Sequence, residues 1–194
     1  MADGRMATSR RGALSLLVLT VSLVAALLVA GCGGPSVQEL VRQDVQAQLD
    51  TLKTGAADAM VQSMEQAAGG DLTQLGVSAK DLANAYLKGF DYKVDGVDVD
   101  EEKGTATAHV TLSCKSVGGI SSAFSTAYQE QVKGFSGAPT QSDLLKLAGS
   151  VMKDAVSQAE PAEKQVDLTY KKNDAGEWAL DTEAANKAIA DAMQ

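Results

Sequence analysis

His109 is the single histidine in a chain of 194 residues, so any chemistry that needs an imidazole must run through it. It falls on the polar register of an alternating segment, and no Cys, Asp or Glu stands near it at a zinc-ligand spacing. The pattern assigns it to a sheet surface rather than to a metal centre. A second chemistry, calcium binding, is raised by Asp91, Asp95, Asp98, Asp100, Glu101 and Glu102. Asp91, Asp95, Gly96 and Glu102 match the first, fifth, sixth and twelfth positions of a helix-loop-helix calcium loop, but Lys93 puts a positive charge at the third. The flanking residues alternate as strands do, so the acids read as a solvated strand face. Cys114 keeps phase with Val110 and Leu112 and reads as a buried thiol, with no base beside it to make it a nucleophile. No catalytic residue, metal or cofactor is expected from these patterns.

The elements that would position these residues can be placed by period and punctuation. Ser36-Val37-Gln38-Glu39 has the form of a capping box, which starts a long helix at Val37. Its apolar stripe runs Val37, Leu40, Val41, Val45, Leu49, Leu52, Ala56, Met60, Val61, Met64, Ala67, and Gly69-Gly70 ends it. Ser78 starts a shorter helix through Leu82, Ala85 and Tyr86, closed by Gly89. From Phe90 the period falls to two, with Gly96 breaking the phase as a bulge would. Asp100 to Gly104 is a turn, and Thr105 to Lys115 is the clearest strand, with Ala106, Ala108, Val110, Leu112 and Cys114 on its apolar face.

Gly118-Gly119 leads into a helical pattern through Val132. A loop over Gly134 to Pro139 precedes a second helix carrying Leu144, Leu147, Val151, Met152 and Val156. Val166, Leu168 and Tyr170 form a strand that turns at Asn173 to Gly176 into Trp178 and Leu180, and Asp181 or Thr182 caps a last helix. The expected fold is α+β: an antiparallel sheet of about four strands in two hairpins, packed against a long N-terminal helix and further helices.

At the N-terminus, Arg5, Arg10 and Arg11 precede an apolar run from Ala13 to Ala30, which stops at Leu28-Val29-Ala30-Gly31-Cys32. This segment resembles the bacterial lipoprotein signal peptide. The resemblance implies cleavage between Gly31 and Cys32, a diacylglyceryl group on the Cys32 thiol, a further acyl chain such as palmitate, and display on the extracytoplasmic face of the membrane. A retained transmembrane helix is the rival, since the run is just long enough for about one bilayer crossing. A twin-arginine export signal at Ser9 to Leu14 is the variant on the export route, although Ala13 stands where a phenylalanine is common. The domain plan is then a signal peptide over residues 1–31, a lipidated cysteine and tether over 32–36, and one domain over 37–194. The tether of about four residues spans at most on the order of 14 Å, which puts the start of the domain against the membrane.

The chain carries 17 Lys and Arg against 25 Asp and Glu, a formal net charge of −8. The signal segment holds Arg5, Arg10 and Arg11 but only Asp3, so the remainder is more acidic still. Nucleic acid and anionic lipid surfaces are poor partners for such a domain. With Cys32 lipidated, Cys114 has no disulfide partner, and the fold must rest on packing.

The element order from Val37 to about Leu180, with a turn-Glu177-Trp178-Ala179-Leu180 hairpin, is similar to the nuclear-transport-factor-like (NTF2-like), cystatin-like cone fold. Two consecutive helices between the hairpins and a terminal helix depart from it. The resemblance implies a pocket between helices and sheet, with Tyr86, Tyr92, Phe124, Tyr128 and Trp178 as candidate lining residues beside Met60, Met64 and Met152. The function expected is that of a membrane-anchored lipoprotein, not an enzyme, binding a protein partner or a small apolar ligand near the membrane. Its alternatives are a proton-transfer enzyme of the same cone fold and a purely structural envelope protein. The enzyme needs a buried carboxylate beside Tyr86, Tyr92 or Tyr128.

Overall fold

Ser36 accepts a hydrogen bond from the Glu39 amide at 3.2 Å and so opens the first helix, α1 (Val37–Ala68). The other half of the capping box is not made, because the Glu39 carboxylate accepts from Gln43 instead. The computed structural model describes residues 35–68 and 71–194; the signal segment, Cys32 and the Gly69-Gly70 break lie outside them. A single helical turn, α2 (Asp71–Gln74), follows, too short to leave a period in the sequence. Ser78 caps α3 (Ala79–Leu87), and Gly89, at φ +86°, reverses the chain into β1 (Asp91–Asp100).

The turn after β1 closes on Gly104 at φ +62° and feeds β2 (Thr105–Cys114). Two helices then intervene. The first, α4 (Val117–Lys133), starts before the two glycines rather than after them, because Ser116 accepts from the Gly119 amide. The second, α5 (Gln141–Gln158), carries a complete capping box between Thr140 and Asp143. The chain returns as β3 (Ala162–Lys172), turns through Asn173, whose side-chain oxygen accepts from the Ala175 and Glu177 amides, and ends with β4 (Trp178–Leu180) and α6 (Thr182–Ala192).

The four strands form one antiparallel sheet in the order β1-β2-β3-β4, packed against helices, so the domain is α+β. The β1–β2 register slips between Val94 and Gly96, leaving Asp95 as the extra residue of a bulge. One sheet face carries Ala106, Ala108, Val110, Leu112, Val166, Leu168 and Tyr170 into a core with Val41, Val45, Leu49 and Leu52 of α1 and Ile189 of α6. The opposite face holds Thr105, Thr107, His109 and Thr111 of β2 and the exposed Glu163, Gln165 and Asp167 of β3. A second, smaller core of Val77, Leu82, Ile120 and Val156 joins α3, α4 and α5, and Met64, near the far end of α1, packs against it. The stripe read along α1 therefore serves two cores in succession.

Candidate functional site

Three arrangements of side chains could carry function. The first lies in the core, where α1 meets β3. Asp44 is 7% exposed, and one of its carboxylate oxygens accepts from the Tyr170 hydroxyl at 2.6 Å and from Gln48 Nε2 at 2.6 Å. Burial, and then the neighbouring Asp44, push the Tyr170 hydroxyl far above the usual tyrosine range. Gln48 Oε1 is buried without a hydrogen-bond partner. The carboxylate sits beside Tyr170, not beside the three tyrosines named from the sequence. Asp44 and Gln48 fall one turn apart in phase with Val41, Val45 and Leu52, so their spacing alone marks them as inward-facing.

Beyond the sheet end, Lys115 is 3% exposed and bridges two helices: Nζ donates to the Ala85 carbonyl at 2.7 Å and to the Val156 carbonyl at 2.9 Å. Both carbonyls belong to last turns, where the helix has no partner of its own to offer. Burial, aided by Lys88, lowers the lysine's affinity for its proton, with Glu160 opposing. The Lys115 carbonyl in turn accepts from the Tyr86 hydroxyl, which burial pushes up to about 12.

The second arrangement is on the open sheet face. His109 lies between two carboxylates, with Nδ1 at 2.7 Å from Asp167 and Nε2 at 3.1 Å from Asp98. Hydrogen bonds to Asp167 and then Asp98 raise its pKa above the ordinary histidine value. The sequence places no partner beside His109; the sheet supplies one from each neighbouring strand. Of the other acids in the stretch, Asp91 pairs with Lys53 of α1, Asp95 with Lys93 and Thr111, and Asp100 with Lys103. Among the described residues, no group of His, Cys, Asp and Glu side chains could hold a metal ion. Cys114 is buried, and burial raises its thiol pKa.

The third arrangement is a groove of about 630 Å³ between α4 and α5. Ile120, Ala123, Ala127 and Gln131 recur at helical spacing along α4, and Val151, Asp154, Ala155 and Gln158 do so along α5. Its buried lining is Ile120 and Val151, alanines stand above them, and the exposed margin carries Asp154, Glu160 and two glutamines.

The five aromatic residues expected to share a pocket are dispersed. Trp178 is 4% exposed in the first core, with Tyr86 and Tyr92 packed at its edge. The Tyr92 hydroxyl donates to Asp50 at 2.7 Å, and partial burial together with that carboxylate pushes it up to about 12. Phe124 and Tyr128 stack on each other along α4 with centroids 5.7 Å apart. None of the five lines the α4–α5 groove. Met64 and Met152 pack against the second core. Gly31 and Cys32 lie outside the described residues.

No family model matches the chain, and no curated protein matches it. Among solved structures, the chain is similar to that of the "putative lipoprotein (ycdA)" from Bacillus subtilis, at 20% identity and a TM-score of 0.40. The match takes in 72% of this chain and 47% of that one, so the chain spans about half that protein's length. No helix among the described residues is long and apolar enough to cross a membrane.

Proposed function

We propose that this protein is an exported lipoprotein, anchored through Cys32 on the extracytoplasmic face of the membrane, whose domain binds a protein partner through the α4–α5 groove without doing catalysis. The observation that carries the binding reading is the groove itself. Over a floor of Ile120 and Val151, the small side chains of Ala123, Ala127 and Ala155 let a partner's backbone approach closely, and the exposed Asp154 and Glu160 select for positive charge. The occupant that fits is a helix or extended segment bearing small apolar residues flanked by Lys or Arg. The interior between α1, α6 and the sheet is filled by Tyr170, Leu49, Leu112 and Ile189, which favours a surface groove over an internal ligand pocket.

A photo-crosslinking residue at Ala127, compared with one at Thr107 on the open sheet face, tests this in intact membranes. The expected result is a discrete protein adduct from position 127 alone that disappears when Asp154→Lys and Glu160→Lys are combined. Adducts of equal yield from both positions, or adducts indifferent to the charge reversal, would overturn the reading.

A second reading, a proton-transfer enzyme, draws on the Asp44–Tyr170 contact, a buried carboxylate hydrogen-bonded to a tyrosine. The side chains that share that core are chiefly aliphatic, which favours a structural use of the pair.

A further inference from the structure

We infer that the domain stands on the membrane with its β1–β2 turn lowermost and the α4–α5 groove at its membrane-distal end, so that the partner is met away from the headgroups. The inference rests on the proposed anchor at Cys32, and its geometry comes from the ladder of contacts between α1 and β1. Gln38 Nε2 donates to the Val97 carbonyl at 3.1 Å, Arg42 Nη1 to the Val94 carbonyl at 3.3 Å, and Lys53 Nζ to Asp91 at 2.9 Å; the Tyr92 hydroxyl reaches back to the Gln46 carbonyl and Asp50. Rising numbers on the helix meet falling numbers on the strand. The helix therefore runs antiparallel to β1, and its first turn lies at the end of the sheet where β1 passes into the turn at Glu101 to Gly104.

Two independent rulers place the groove at the other end. Along α1, the first core is met from Val37 and the second at Met64, a rise of about 40 Å at 1.5 Å per residue. Along β2, the strand leaves the turn at Thr105 and ends at Cys114, roughly 30 Å away at strand spacing. Ser116, two residues further on, lines the groove, and Ile120 belongs both to the groove and to the second core. With a tether of about four residues between Cys32 and Val37, reaching on the order of 14 Å, the groove meets the bilayer only if the domain lies on its side.

Charge opposes that posture. The side that would turn down with the open sheet face carries Asp95, Asp98, Asp167 and Glu163 against Lys93 and Lys171, with His109 between Asp98 and Asp167, and the end next to the tether carries Asp100, Glu101 and Glu102 with Lys103 paired to Asp100. Acidic flanks of this kind are repelled by anionic headgroups within about a Debye length, roughly 10 Å. The turn end is acidic too, so it is the lipid on Cys32 and the short tether, and not charge, that would hold it at the surface.

The test uses the full lipidated chain in phosphatidylcholine–phosphatidylglycerol vesicles. A single fluorophore is placed through Glu101→Cys on the turn or Ser136→Cys on the α4–α5 loop, and an energy acceptor is attached to a lipid headgroup. Both positions are exposed, and the native Cys114 is buried and does not compete for label. Flotation is measured on the same samples, with Cys32→Ser as the unanchored control. The expected result is flotation that depends on Cys32, with transfer from position 101 several-fold stronger than from position 136. Flotation with equal transfer, or stronger transfer from 136, overturns the orientation while leaving the anchor standing. Failure of the lipidated chain to float overturns the anchor, and the orientation with it.

Discussion

His109 is the residue whose setting differs most from its look in the sequence. Its two carboxylate neighbours stabilise the protonated ring, so its folded pKa lies above the ordinary value of about 6.5. The resulting stability is fully present below that ordinary value and is lost as pH rises through the folded pKa. The trio is solvent-exposed, so the gain is screened and salt-sensitive. Because the chain has one histidine, a single ring resonance reports the titration. Its midpoint is expected above 6.5 and should fall in Asp167→Asn more than in Asp98→Asn, the order of the two hydrogen bonds; a midpoint unmoved by either change would rule out the pairing.

At the scale of elements, two helix-interior glycines have opposite roles. A Cβ on Gly149 of α5 would lie 1.9 Å from the Leu75 carbonyl oxygen, so α5 touches the chain between α2 and α3 backbone to backbone. A Cβ on Gly55 of α1 would meet nothing within 4 Å. Gly55→Ala should stabilise by roughly 0.5–1 kcal/mol through helix propensity. Gly149→Ala should destabilise by about 1–3 kcal/mol through overpacking, despite the same propensity gain. Urea midpoints of the two variants moving in the same direction would contradict this packing.

The elements themselves were readable wherever a period ran for several residues. The alternation of Ala106 to Cys114, the bulge at Gly96 and the cap at Ser78 all express local backbone and side-chain geometry. Features that depend on distant chain were not readable. Asp167 reaches His109 only through the β2–β3 register, which is set across two intervening helices, and Tyr170 meets Asp44 across 126 residues. The groove combines two helix faces whose alanines look like ordinary helix formers in isolation.

For the whole molecule, Lys115 is the joint between the sheet core and the helical one. Its ammonium satisfies the last turns of α3 and α5 together, and the unfolded chain holds that proton more readily than the folded one. Its own contribution to stability therefore rises with pH between its lowered folded value and the ordinary lysine range. Lys115→Met keeps most of the stem but leaves both carbonyls buried without a donor, at a cost on the order of 1–3 kcal/mol for each unsatisfied group. Hydrogen exchange should quicken in the final turns of α3 and α5 while the β2–β3 ladder keeps its protection relative to the global stability. Uniform acceleration throughout would mean that the two cores open only as one.

The contacts that align α1 with β1 also close an edge. Gln38 and Arg42 occupy the Val97 and Val94 carbonyls on the outer side of the sheet, groups that otherwise invite another strand to add on. Molecules tethered to one surface collide far more often than the same number free in solution, and they arrive already aligned. With the anchor proposed above, a helix that latches the free edge beside the tether would keep crowded neighbours from zipping into a continuous sheet.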